Sequence, residues 1–407
     1  MRRRMRAIER ESISLVVAMT HPIQYYSPWF AFITAECPSL SLEVVYATEP
    51  TPTQQAVGFG REFRWDTPLR AGYQSTVIRD AAPADSVHSD SFFGLNVPEL
   101  ARAVLDREPD VVLVPGWHSI TYLRVLRACR RAGIPTIYRG DSSLLGRPTG
   151  WKRAAWSART RWMLGQYSAY LGVGSRAVEY LGAFGVARER IFESPHCVDN
   201  DFFAAGAAPW QERDVRARER RALGVRDDEF VVLFVGKLEP KKRVRDAVLA
   251  VAQAGSDYHL LVVGAGAEDA SARTAAHELG ARVTWQGFVN QASLARFYAV
   301  ADCLVLPSDH RETWGLVVNE ALAAGLPCAV SDRAGCAPDL VIPGVTGERY
   351  PCGDATSLAS ALARIRSSLR NGTITRRTCS DLIRQYSFAQ ATEGLQAACR
   401  FVTGFHH

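Results

Sequence analysis

A chain of 407 residues exceeds what one hydrophobic core normally serves, so two or three structural units are expected. Its 47% apolar and 22% charged residues are ordinary for a globular protein, and a net charge of +6 is mild for this length. No run approaches the roughly 20 apolar residues of a spanning helix, and the nine cysteines are scattered without a C-x-x-C pair, which argues for free thiols in a reducing cytoplasm and against zinc.

Residues 1–10 carry Arg2, Arg3, Arg4, Arg6 and Arg10 against one acid, Glu9. No apolar signal core follows, so residues 1–11 read as a loose basic tail, serving either solubility or contact with anionic lipid or a charged substrate. Residues 14–19 form a first buried strand, and residues 20–28 a polar, aromatic loop ahead of an amphipathic run to 36. In a doubly wound sheet ligands bind beyond the carboxyl ends of the strands, which puts His21 and Gln24 toward the binding side; a turn fixed by Pro22 and Pro28 is the alternative.

Residues 42–46 are a second strand. The irregular stretch 51–73, with Gly58, Gly60, Phe63, Trp65, Asp66, Gly72 and Tyr73, is long for a connection and too aromatic for disorder. It reads as part of an acceptor side. Strands at 110–115 and 135–138 end in Gly116-Trp117-His118-Ser119 and Arg139-Gly140-Asp141-Ser142-Ser143, which places Trp117, His118, Arg139 and Asp141 at strand ends. A lone histidine is more often structural, but one just past a strand terminus favours the site. Residues 151–163 interleave Trp151, Trp156 and Trp162 with Lys152, Arg153, Arg159 and Arg161. That pattern suits either a membrane interface or a surface helix packing its tryptophans inward.

A short strand at 171–174 leads into a helix ending near 184, and Asp199-Asn200-Asp201, formally an Asp-x-Asp, lies at a domain junction rather than after a nucleotide-binding strand. The charged stretch 204–226 reads as a linker containing a helix. A continuous apolar run at 230–235 opens a second domain and delivers Gly236, Lys237, Lys241 and Lys242 at a strand end. The strand at 259–263 precedes Gly264-Ala265-Gly266-Ala267, a weak signal alone, and the strand at 283–286 precedes Gly287-Phe288-Val289.

The most informative stretch is 303–332. A buried strand at 303–306 gives way to a polar loop with Glu312, a helix expected from about Trp314-Gly315 with apolar Leu316, Val317, Ala321 and Ala324, a cap at Gly325 and a new strand at 328. On one helix Glu312 and Glu320 would stand roughly 12 Å apart. With Glu312 in the loop, both approach a helix N-terminus suited to a diphosphate, and two carboxylates there favour neutral sugar and ribose hydroxyls. An acidic loop beside a polar helix face is the alternative. Helices are expected at 355–369 and 386–402.

Taken in order, Glu312-Thr313-Trp314-Gly315, Glu320-Ala321, Gly325-Leu326-Pro327, Gly335, Asp339, Gly344 and Gly347 resemble the signature of the large retaining glycosyltransferase family 4. The chain departs from it at Cys336, where a second glycine is usual, and at Asp339, where a glutamate is usual. The resemblance implies an α/β GT-B fold, two Rossmann-like doubly wound domains facing across a cleft. Residues 1–203 would form the acceptor-side domain, 227–385 the nucleotide-sugar domain, and 386–407 a terminal helix crossing back.

It further implies a nucleotide diphosphate sugar as co-substrate, retention at the anomeric carbon, no metal or other cofactor, and no nucleic-acid partner. Glu320 would bind ribose and Glu312 lie beside the transferred sugar. Gly236, Lys237 (an arginine is usual) and Lys242 would clamp the diphosphate, with the amides of Thr313, Trp314, Gly315 and Leu316 nearby and the base beside Gly287 and Phe288. Lys242, Lys237 and Glu312 would carry the catalysis, joined by His118 where family members often end a strand in histidine, and the acceptor would be a glycan or a lipid-linked hydroxyl. The expected setting is the cytoplasm or the inner face of an anionic plasma membrane, in bacterial surface polysaccharide synthesis. A sugar-nucleotide epimerase of the same architecture and a silent nucleotide-sugar-binding subunit are the rival readings.

Overall fold

The computed structural model describes residues 12–55, 62–79 and 91–404; the basic tail and the glycines at 58 and 60 lie outside them. The chain divides into two units, Met1–Gln55 with Pro68–His196 and Phe388–His407, and Ala56–Thr67 with Cys197–Ser387.

The first unit is built on a seven-stranded parallel sheet of order β3-β2-β1-β4-β5-β6-β7. Its strands are β1 (Ile13–Met19), β2 (Leu40–Thr48), β3 (Gln74–Arg79), β4 (Val111–Pro115), β5 (Thr136–Gly140), β6 (Ala169–Gly172) and β7 (Ile191–Glu193). The central strands are apolar on both faces because helices cover both, the condition that keeps a parallel sheet dry. Helices α1 (Tyr26–Glu36), α2 (Ile120–Arg131) and α3 (Trp151–Leu164) follow β1, β4 and β5. Ser119 caps α2 by accepting from the Thr121 amide. The terminal helix Phe388–Thr403 packs in this unit: Trp29 Nε1 donates to Thr392 Oγ1 at 3.0 Å and Ser194 Oγ to the Ala391 carbonyl at 2.7 Å.

The second unit repeats the plan with a six-stranded parallel sheet, β10-β9-β8-β11-β12-β13. Its strands are β8 (Phe230–Val235), β9 (Tyr258–Val263), β10 (Val283–Gly287), β11 (Cys303–Leu306), β12 (Cys328–Ser331) and β13 (Gly347–Tyr350). β8 pairs along its whole length with β9, from Phe230 opposite Tyr258 to Val235 opposite Val263, and on its other side with β11. Both sheets therefore reverse winding direction next to their first strand, at β1/β4 and at β8/β11, where ligands of such sheets bind.

Two expectations need correction. Residues 204–226 are not a linker: α4 (Asn200–Gln211) and α5 (Arg213–Ala222) belong to the second unit, which begins at Cys197 rather than 227. Arg216 donates to the carbonyls of Ala299 and Ala301, Arg220 to that of Val300, and both pair with Asp302 at 2.8 Å. The charge density that suggested a solvated connection is consumed by carbonyls at a helix end. The helix expected from Trp314 starts later, as α6 (Val317–Ala323), because Gly315 adopts φ +105° and breaks the helical path.

Candidate active site

In the second unit the loops after β8 and β11, the two strands at the winding reversal, carry the predicted charged groups. Lys242 Nζ pairs directly with the Glu312 carboxylate, and both side chains are largely buried. Lys237 is half-buried with Glu239 at 3.9 Å; burial, assisted by the charges of Lys241 and Lys242, pulls its pKa down against the pull of Glu239. Three lysines here share two glutamates: Lys237 and Lys241 flank Glu239, and Lys242 pairs with Glu312.

The backbone holding this cluster is laced between loops. Gly236 N donates to the Val263 carbonyl at 3.0 Å, Leu238 N to Ala265 at 2.9 Å and Gly264 N to Gly287 at 2.8 Å. A Cβ on Gly264 would stand 1.9 Å from the Gly236 carbonyl oxygen, so only glycine permits the approach. The glycine pair that is weak in sequence thus fixes the turn that carries Lys237 and Lys242. Glu312 is fixed the same way: its carbonyl accepts from Gly335 N at 2.9 Å, and a Cβ on Gly335 would fall 1.7 Å from the Thr313 oxygen. Cys336, standing where a glycine was expected, is fully buried and donates its amide to the Trp314 carbonyl at 3.0 Å.

Glu320, in the first turn of α6, is only 3% exposed and accepts from the Tyr298 hydroxyl. Burial pushes its carboxyl up to about 7, while the Tyr298 hydrogen bond and the positive charge of Lys242 pull the other way. Tyr298, with no motif around it, escaped the sequence reading. Thr313 is exposed and Leu316 half-buried, but the Trp314 ring is buried, donates to Asn319 Oδ1 at 2.8 Å and lies 6.3 Å from the Tyr386 ring. Trp314 therefore supports the loop, and only its backbone can serve a ligand. Gly287 is the last residue of β10, and Phe288, half-buried, opens the turn after it.

In the first unit, His21 and Gln24 follow β1 and are half-buried, His21 Nδ1 lying 3.0 Å from Thr20 Oγ1. His118 follows β4, is exposed and meets Arg159 Nη2 at 2.7 Å. Trp117 points instead into the core. Arg139, expected on the acceptor side, is 2% exposed: it donates to the Ser194 carbonyl at 2.6 Å and the Pro195 carbonyl at 3.0 Å and lies 4.5 Å from the Trp29 ring centroid. It clamps the end of β5 to residues 194–195 from a buried position. Asp141 lies 3.7 Å from His196 Nε2; burial, reinforced by Arg139, pulls the pKa of His196 down against Asp141. The formal Asp-x-Asp is a helix start, with Asp199 capping Phe202 N and Asn200 Nδ2 donating to the Ile383 and Tyr386 carbonyls.

Known proteins decide the family. The sequence model described as glycosyl transferases group 1 matches residues 215–379, and that of the glycosyl transferase 4-like domain matches residues 33–195. The chain belongs to the group 1 glycosyltransferases. It is 28% identical over 369 residues, 81% of this chain and 92% of the relative, to a GDP-mannose-dependent alpha-mannosyltransferase of Mycolicibacterium smegmatis. Among solved structures, lipopolysaccharide outer core galactosyltransferase WaaB superposes with TM-score 0.67 at 18% identity, covering 95% of this chain and 99% of that one. Anabaena HepE in complex with UDP-glucose gives TM-score 0.69 at 15% identity, covering 97% and 100%. The fold of this glycosyltransferase is GT-B, with two parallel-sheet α/β domains. These matches are sugar transferases, and the epimerase alternative falls with them.

Proposed function

We propose that the enzyme transfers a sugar from a nucleoside diphosphate donor to a hydroxyl of a glycan or lipid-linked acceptor, with retention at the anomeric carbon and without a metal ion. The observation that carries this reading is the grouping of Lys237, Lys242, Glu312 and Glu320 at the winding reversal of the second sheet. Lys242 and Lys237 bind the diphosphate and stabilise it as it leaves. Diphosphate entry draws Lys242 from Glu312, freeing that carboxylate for the hydroxyls of the transferred sugar, while Glu320 takes the ribose hydroxyls.

Retention needs no attacking carboxylate. The acceptor oxygen approaches the face that the diphosphate is leaving, the C–O bond to phosphate breaks as the new glycosidic bond forms, and a leaving phosphate oxygen takes the hydroxyl proton. His21, Gln24, His118 and Asp141 in the first unit are the acceptor-side groups. The relative named for GDP-mannose puts that donor first to test, and HepE's complex puts UDP-glucose second.

The setting proposed with it is polysaccharide synthesis at an anionic membrane surface. Helix α3 holds Trp151 79% and Trp162 49% exposed beside Lys152, Arg153 and Arg161 and has no acidic residue, while only Trp156 turns inward, against Tyr180 and Phe184. No helix among the described residues is long and apolar enough to cross a membrane.

The deciding experiment is a thermal-shift panel of UDP, GDP and ADP, followed by NMR of the product anomer formed from the preferred donor sugar in the presence of EDTA. One nucleotide raising the melting temperature, and a product with the donor's anomeric configuration at undiminished rate, is the expected outcome. An inverted product, or a rate abolished by EDTA, would overturn the mechanism.

A further inference from the structure

Residues 62–67 lie between two stretches of the first unit, yet they are part of the second. Their contacts there run along the turn after β10. The Phe63 ring lies 4.3 Å from Phe288 and 5.0 Å from Trp65. Asn290 Nδ2 donates to the Arg64 carbonyl at 2.7 Å, Ala292 N to the Asp66 carboxylate at 3.1 Å, and Thr67 Oγ1 to Gln291 Oε1 at 3.3 Å. Phe63, Trp65 and Thr67 are half-buried while Glu62, Arg64 and Asp66 are exposed, the alternation of an extended strip with one face laid down. Phe63, Arg64, Asp66 and Thr67 are thus each tied to a partner in 288–292, and Trp65 packs on Phe63, which makes this a built strap and not a loose loop.

The turn it covers is tied to the diphosphate side of the site. Gly287, at φ +68°, passes its carbonyl to Gly264 N, and Gly264 in turn abuts the Gly236 carbonyl. A nucleotide with its diphosphate at Gly236 and Lys242 and its ribose at Glu320 carries its base to an adjoining strand end, and β10 is the outer strand on that side of β8. Two phenylalanines half-exposed on one another are poorly explained by core burial but offer a flat apolar face to a planar base.

We propose that residues 62–67 are a base-holding strap, and that Phe63 with Phe288 forms the aromatic wall against which the donor's nucleobase packs. The inference rests on reading the second unit as the nucleotide-sugar site. Every base has a π-face, so this wall supplies affinity across bases, and hydrogen bonds to base edges are left to the backbone of the turn.

Calorimetric titration of the full chain with GDP, UDP and inorganic pyrophosphate tests it, comparing wild type with Phe63→Ala and Phe63→Tyr. Phe63→Ala should lose about tenfold in affinity for the preferred nucleotide, on the scale of one stacked base. Pyrophosphate binding should stay at the wild-type value, and Phe63→Tyr should restore the nucleotide affinity. Unchanged nucleotide affinity in Phe63→Ala overturns the proposal. Raised affinity overturns it too, by showing that the ring obstructs the site, as does an equal loss for pyrophosphate, which reduces Phe63 to a prop for the turn. Failure of the wild type itself to bind any nucleoside diphosphate overturns the reading of the site, and is seen without the variants.

Discussion

Lys242 is the residue on which the leaving-group argument turns, because it is the cation paired with Glu312 and also the charge that pulls Glu320 toward ionisation. Lys242→Ala should lower turnover by about 100-fold or more, the scale of one lost electrostatic contact in the transition state; a folded variant with unchanged turnover removes the clamp. Glu320 gives a pH test whose sign is fixed by its environment. Its folded value, about 7, stands above the ordinary 4.5, so the native state holds a proton that the unfolded chain releases. Its contribution to stability is therefore complete below pH 4.5 and is lost as pH rises through 7. In the proposed role ribose hydroxyls would donate to the carboxylate, so nucleotide affinity should move the opposite way, rising between about pH 6 and 8 as the site ionises. The nucleotide's own phosphate ionisation acts equally on Glu320→Gln, so the difference between the two proteins isolates the group. Equal pH slopes in both, in melting and in titration calorimetry, would count against ribose binding by Glu320.

Elements explain why some of this site was legible and some was not. The run 303–306, the glycine at 325 and the pair Glu312 and Glu320 mark strand, helix end and charged loop by composition alone, and β11, α6 and their loop lie where those signals put them to within a few residues. Strands β3, β7 and β13 went unread because they carry mixed residues such as Gln74, Glu193 and Arg349, whose strand conformation comes from a pre-existing neighbour. The close approach of Gly335 to the loop of Glu312 is a tertiary event, and Gly335→Ala should displace that loop and cost several-fold in turnover; wild-type kinetics in that variant would show the loop tolerates a shift of its backbone. Helix α3 makes its own prediction. Trp151→Ala combined with Trp162→Ala should weaken co-sedimentation with anionic vesicles at low salt while leaving transfer to a water-soluble acceptor unchanged, and wild-type binding should fall as salt rises. Vesicle binding that ignores both tryptophans and salt would separate α3 from any membrane.

At the scale of the molecule, the sequence shows the two-unit plan because two buried strands, at 14–19 and 230–235, each open an alternating series of strands and helices. It does not show where one unit gives way to the other. Residues 204–226 look like a connection because arginine and acid crowd together, and composition cannot reveal that Arg216 and Arg220 point at the carbonyls ending another helix. The distinction is measurable in the intact protein, since this stretch holds trypsin sites at Arg213, Arg216, Arg218, Arg220, Arg221 and Arg226. A solvated linker with six such sites is cut within minutes, whereas α4 and α5, anchored by buried Phe203 and Arg220, can be cut only after local unfolding. Native trypsin treatment should therefore leave residues 204–226 intact. Arg220→Ala, which leaves Asp302 only Arg216 as its cation and takes the donor from the buried Val300 carbonyl, should expose the same sites and destabilise the chain by about 1–3 kcal/mol, the cost of leaving such a carbonyl unsatisfied. Rapid cleavage of the wild type between 213 and 226 would return this segment to a linker and move the start of the second unit back toward 227.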